Sequence, residues 1–273
     1  LITEYAKEAG KKVGVITSVS LDHATPAAYY AKAPSRKQYY DIAVQGLTGT
    51  TLDYLGGGSF LKPDGDGTQE NLFELAAENG WTLANTNEAI RALNADSGRV
   101  LAIDPNIADS EALNYEIDRV RKEEAGEDIL ALADYVKAGI DVLDNENGFF
   151  MMCEGGKIDW SGHANDAATS IHETIAFSDA VQVAIDFAAE HPEETLILVT
   201  GDHETGGLYC APNYRDPQRP FIHYTTQSHT GAPVPVFAFG PGSDRFSGVI
   251  ENIAIPSTMA ELWKLPLHRP VVK

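Results

Sequence analysis

Two rhythms of apolar and polar residues alternate along the chain. Short apolar runs stand at Lys12–Ser20 (KVGVITSVS), Thr51–Leu55, Trp81–Asn85, Arg99–Ile103, Phe149–Cys153 (FFMMC) and Thr195–Thr200 (TLILVT), and another follows His229 in PVFAFG. Their shortness, with β-branched or aromatic residues in most of them, predicts buried strands. Other stretches repeat apolar residues every three or four positions, the spacing of one helix face. Leu130, Ala133, Val136, Ile140 and Leu143 make such a stripe within Ile129–Asp144. The longest helical pattern runs over Ala164–Glu190, through Ala164, Ala168, Ile171 and Ile175 and then Val181, Ile185 and Ala188, until His191-Pro192 ends it. Further helices are predicted at Asp41–Thr48, Gln69–Asn79, Thr86–Leu93 and Ser257–Leu265. LITEYAKEAGKK at the start has the pattern of the end of an amphipathic helix, and Thr25-Pro26 suits a helix N-cap and first turn. Asp104–Asp128 is charged and predicted as surface loop and helix, while Tyr209–Pro220 is predicted as a Pro-rich loop.

Strands that alternate with helices predict an α/β fold, a three-layer wound and mostly parallel sheet with helices on both faces. In such sheets ligands bind outside the carboxyl ends of the strands. His23, Glu154 and Asp202-His203 each follow a predicted strand, so they are expected on one sheet edge. His229 precedes its strand and reaches the same edge only if that strand runs antiparallel. No internal repeat or linker interrupts residues 1–273, which are expected to form one domain.

Met151–His163 (MMCEGGKIDWSGH) is the densest stretch of candidate chemistry. Gly155-Gly156 ends a strand, and Asp159 and His163 follow at helical i,i+4 spacing, on one side. With Glu154, Asp202, His203 and His229 they form a mixed set of nitrogen and oxygen donors. Nitrogen with oxygen suits zinc, and the hard oxygens of Glu154 and Thr25 suit magnesium. Two metals about 4 Å apart clamp the attacking and leaving oxygens of a displacement at phosphorus. Other signals are weaker. Gly56-Gly57-Gly58 lacks a following GK[ST] and fits a tight turn after a strand better than a phosphate loop, and DGDG at 64–67 lacks the glutamate that closes an EF-hand.

Charge and composition narrow the field. A formal net charge of -20 argues against nucleic-acid binding. No apolar run is long enough to cross a membrane. Cys153 and Cys210 make no disulfide framework, and Cys153 in FFMMC is expected to be a buried free thiol.

The segments DHATPAA with Arg36 beyond it, CEGGKIDWSGH, VTGDHETGG, SHTGAPVPVFAFGPG and RFSGVIENIAIPSTMAELW together resemble the alkaline phosphatases over most of the chain. The resemblance implies two zinc ions and one magnesium. Asp159, His163 and His229 match ligands of the first zinc, Asp202 and His203 of the second, and Thr25 and Glu154 of the magnesium. His23 falls near that third site, Arg36 matches the arginine that grips phosphate, and Trp160 stands where some members place Lys or His. It further implies phosphate monoesters as substrates, inorganic phosphate as product, a phosphoserine intermediate, a homodimer when intact, and a periplasmic or extracellular location. The family's nucleophilic serine falls before Leu1, as does the aspartate that bridges the second zinc and the magnesium. The chain is therefore expected to be an N-terminally incomplete, inactive portion with an exposed sheet edge. A phosphodiesterase or sulfatase of the same superfamily, or a non-catalytic metal-binding fragment, are the alternative readings.

Overall fold

The computed structural model describes residues 1–216 and 218–265. The strands are β1 (Lys12–Thr17), β2 (Tyr54–Gly57), β3 (Trp81–Ala84), β4 (Arg99–Ile103), β5 (Phe149–Glu154), β6 (Ile197–Thr200), β7 (Glu204–Thr205), β8 (Tyr209–Ala211), β9 (Phe221–His223), β10 (His229–Thr230) and β11 (Val236–Phe239). The helices are α1 (Ile2–Glu8), α2 (Ala24–Ala27), α3 (Tyr39–Thr48), α4 (Leu72–Glu78), α5 (Asn87–Arg91), α6 (Glu116–Glu124), α7 (Leu132–Leu143), α8 (Lys157–Ala164), α9 (Ala167–Glu190) and α10 (Ala254–Leu262).

A five-stranded sheet in the order β3-β4-β2-β1-β5 forms the centre, and all its pairings are parallel. Alternation along β1 divides the core. Val13 and Val15 pack with Ala6 of α1, Leu47 of α3 and Leu72 of α4, all at 0% exposure. Ile16 faces the other way, into a layer with Ile90 of α5, Tyr135 and Leu143 of α7 and Ala180 of α9. This is the expected three-layer arrangement. Tyr54 spans sheet and helix, donating from its hydroxyl to the Tyr135 carbonyl at 3.2 Å inside the core.

Four local expectations are corrected. The triple glycine is no turn after the strand, because Gly56 and Gly57 lie within β2. Gly57 has φ +127°, and a Cβ there would sit 1.9 Å from the Thr17 carbonyl oxygen, so only glycine lets the two strand ends approach. Thr25 is not a helix cap; His23 holds that position and Thr25 lies inside the one-turn α2. The long helical pattern breaks at Asn165, which adopts φ 54°. Asp166 then starts α9 by accepting hydrogen bonds from Ala168 N and Thr169 N. The Pro-rich loop opens with a short strand, since β8 at its start pairs antiparallel with β9 just beyond its end.

A larger correction concerns TLILVT. Its strand β6 is not part of the five-stranded sheet and is not buried: it pairs with β11 alone, antiparallel. The predicted antiparallel strand after His229 is thus present, in a ribbon separate from the main sheet. α9 leads from the β5–α8 region to β6 and so holds the two sets of strand ends beside each other.

Candidate metal centre

Three segments build the site. β5 ends at Glu154, in register with Thr17 of β1, whose hydroxyl donates to Glu154 Oε2 at 2.5 Å. Burial raises the Glu154 carboxyl above the usual range, and hydrogen bonds from Thr17 and Thr25 oppose that shift. Thr25 thus acts on Glu154 from within α2, whose N-cap position is held by His23. After the Gly155-Gly156 turn, α8 presents Asp159 and His163 one helical turn apart. The ribbon of β7 and β10 pairs Thr205 with His229 and Glu204 with Thr230, which brings His229 opposite α8. Glu204 clasps this ribbon: it accepts from Gly207 N, Leu208 N and the Thr230 hydroxyl.

The ligand atoms converge. His229 Nε2 lies 3.3 Å from Asp159 Oδ1, His163 Nε2 lies 3.4 Å from the same oxygen, and the two Nε2 atoms are 3.1 Å apart. Zinc held tetrahedrally at 2.0–2.1 Å requires ligand atoms about 3.3 Å from one another. These three side chains fit that requirement. The His163 Nδ1–H donates to the Gln227 carbonyl at 2.6 Å, which leaves Nε2 as the basic nitrogen facing the cluster. His203 joins from the neighbouring strand end. Its ring stacks on His229 with centroids 3.6 Å apart, and its Nε2 is 3.4 Å from Asp202 Oδ2. One ligand atom each of Asp159, His203 and His229 falls within 4.8 Å of the others, so His203 also lies beside the first predicted ligand group.

Thr205 was not among the residues singled out from sequence. Its hydroxyl donates to Asp159 Oδ1 at 2.5 Å and accepts from His203 Nδ1 at 3.2 Å. One side chain thus orients a ligand of each predicted zinc. Only the spacing GDHET, three residues past Asp202, could have hinted at this.

His23, Arg36 and Trp160 form a separate corner. Arg36 Nη2 donates to His23 Nε2 at 2.9 Å, and Trp160 meets the His23 ring edge-on with centroids 6.0 Å apart. Burial and the adjacent Arg36 push the His23 pKa down to about 4, so the ring is neutral at pH 7. Arg36 is exposed. The zinc-side ligands are open, with side-chain exposures from 29% at His203 to 65% at Asp202, while Glu154 is more deeply set.

No helix among the described residues is long and apolar enough to cross a membrane. Cys153 and Cys210 are both free; Cys153 is half-buried rather than fully buried, and burial raises its thiol well above its ordinary pKa.

Similarity to known proteins agrees with this geometry. Residues 1–221 match the family model described as alkaline phosphatase. Alkaline phosphatase 3 of Bacillus subtilis is 27% identical over 93% of this chain and 68% of its own length. The repressible alkaline phosphatase of Saccharomyces cerevisiae is 32% identical over 76% of this chain and 40% of its own. The chain thus spans less than half of the yeast relative and about two thirds of the bacterial one. Among solved structures, alkaline phosphatase from the Antarctic bacterium TAB5 superposes with a TM-score of 0.81 at 31% identity, covering 97% of this chain and 75% of that one. A histidine-to-glutamate mutant of the TAB5 enzyme, with magnesium bound in its M3 site, gives a TM-score of 0.82 at 30% identity, covering 97% and 76%. A parallel sheet between two helical layers, a convergent Asp-His-His cluster at its strand ends and a family match over residues 1–221 lead to one assignment: the chain belongs to the alkaline phosphatase family.

Proposed function

We propose that this chain is the metal-binding part of a phosphatase that hydrolyses phosphate monoesters, releasing inorganic phosphate through a phosphoserine intermediate. The observation that carries this reading is the convergence of Asp159, His163 and His229 at mutual distances of 3.1–3.4 Å, a tetrahedral zinc spacing. These three hold the first zinc, Asp202 and His203 the second, and Glu154 with Thr25 the magnesium beside His23. Magnesium in the similar TAB5 structure supports the third assignment. When bound, the metals supply Lewis acidity that clamps the attacking and leaving oxygens of an in-line displacement.

This chain's own residues do the rest. Arg36 offers a planar guanidinium to two phosphate oxygens, with its Nη2 anchored on His23. A neutral His23 and the indole of Trp160 add no positive charge at that corner, so phosphate is held there by Arg36 and the metals. Thr205 keeps the Asp159 carboxylate turned toward the cluster.

The phosphoserine is assigned to none of the serines at the strand ends. Ser18, Ser20 and Ser59, at the strand ends, are 5%, 1% and 6% exposed, so their hydroxyls are buried. The open sheet edges among the described residues fit association with a further polypeptide. β5 pairs on one side only, β6 pairs with β11 alone, and Ile171, Ile175, Phe237 and Phe239 stand 48%, 51%, 64% and 57% exposed nearby. The intact protein is a homodimer working in the periplasm or outside the cell. The test is a phosphatase assay on the purified chain with zinc and magnesium added. Metal binding without turnover is expected; substantial activity that a chelator abolishes overturns the placement of the nucleophile.

A further inference from the structure

Lys157 opens α8 and is 1% exposed, although nothing in the chemistry above uses it. Its Nζ donates to the Leu113 carbonyl at 2.5 Å and lies 3.5 Å over the Tyr115 ring. An ammonium buried this deeply costs stability unless its surroundings compensate. The carbonyl and the ring do so, and Glu173 is the foremost of the carboxylates acting on it. Glu173 is itself fixed, accepting from Glu116 N at 2.7 Å.

The Leu113 carbonyl is one link in a closed circuit. Ser18 N donates to the Glu154 carbonyl at 3.1 Å, and Leu113 N donates to the Ser18 carbonyl at 3.0 Å. Lys157 then bonds Leu113 and returns to Glu154 through Gly155-Gly156. That return is closely packed: a Cβ on Gly156 would lie 2.9 Å from Val19 Cγ1, and one on Gly155 3.0 Å from Phe177. The circuit thus ties the strand end bearing Glu154 to the first turn of the helix bearing Asp159 and His163.

We infer that Lys157 is a positioning residue that sets the first turn of α8 against the end of β5, and with it the placement of Asp159 and His163 toward zinc. It touches neither metal nor substrate. This inference rests on the zinc reading of the cluster.

The test is zinc affinity of the full chain, measured by competition with a chromogenic chelator, with the visible spectrum of the cobalt-substituted chain as a second readout. Lys157→Met keeps the apolar stem and removes the donor. Groups that orient metal ligands from behind are worth about 10- to 100-fold in metal affinity, and a loss in that range is expected. Weakened tetrahedral cobalt bands should accompany it. Lys157→Arg, which retains a buried cationic donor, should recover most of the affinity. Tyr54→Phe, a change in the core between the sheet and α7, should lower stability and leave zinc binding alone. If Lys157→Met does not fold, Tyr115→Leu removes only the ring under the ammonium and should weaken zinc in the same sense. Parent-like zinc affinity in the Met variant, or an equal loss in Tyr54→Phe, overturns the inference. A parent chain that binds no zinc overturns the zinc reading itself and this inference with it.

Discussion

Thr205 offers the sharpest perturbation of the proposed centre. Thr205→Val replaces a hydroxyl by a methyl of nearly the same shape, so it opens no cavity and leaves the β7–β10 pairing intact. It removes the hydrogen bond to Asp159 Oδ1, at 2.5 Å, and the acceptor for His203 Nδ1, at 3.2 Å. The first of these goes to an ionised carboxylate, and such bonds contribute about 1.5–3 kcal/mol. At about 1.4 kcal/mol per factor of ten, their loss weakens binding about 10- to 150-fold if Asp159 must be re-oriented by the metal itself. The second bond fixes the tautomer of His203, so its loss weakens the neighbouring zinc as well. Zinc affinity should be followed by chelator competition on the full chain, beside thermal melting of the metal-free protein. Thr205→Val should bind zinc at least tenfold more weakly. Thr205→Ser, which keeps the hydroxyl, should stay close to the parent. Equal zinc affinity in parent and valine variant, or equal losses for serine and valine, refutes the reasoning that this hydroxyl orients the ligands.

Three further outcomes follow from the fold and its buried charges. Gly57→Ala places a Cβ 1.9 Å from the Thr17 carbonyl oxygen at φ +127°, and should cost more than about 3 kcal/mol in urea unfolding or prevent folding altogether; a neutral effect contradicts the close approach of β1 and β2. Tyr54→Phe leaves the Tyr135 carbonyl without its 3.2 Å donor and should cost about 1 kcal/mol by the same measurement; an unchanged midpoint denies that bond. Asp22 is 0% exposed, and burial raises its pKa from 3.8 to about 6. Between those values the folded state binds more protons than the unfolded state, so this group lowers stability as pH rises through the window. In chelator, Asp22→Asn should gain about 3 kcal/mol on the parent between pH 4 and pH 7, at 1.36 kcal/mol per pKa unit; a constant difference shows that Asp22 does not titrate in this way.

The parts legible in the sequence were those set by local pattern. The stripe from Leu130 to Leu143 packs α7 against the sheet, and the FFMMC run became β5. Asp159 and His163 share a helix side because their spacing alone dictates it. What escaped was set by partners distant in sequence. TLILVT has the composition of a core strand but pairs only with β11 and stays partly exposed, because strand pairing is chosen by residues distant in sequence. Thr25 has the chemistry of a cap, yet the carboxylate of Glu154 claims its hydroxyl. Three adjacent glycines read as a turn, whereas the Thr17 carbonyl requires one of them inside a strand. Thr205 and Lys157 carried no signal, because their roles consist of bonds to Asp159 and Leu113, 46 and 44 residues away.

The central claim is that Asp159, His163 and His229 hold zinc. X-ray absorption at the zinc edge of the reconstituted chain addresses it directly. The account predicts bound zinc with nitrogen and oxygen neighbours at about 2.0–2.1 Å, a histidine scattering signature, and loss of the metal in Asp159→Ala and His229→Ala. No retained zinc, sulfur neighbours at about 2.3 Å, or full occupancy in both alanine variants would contradict it.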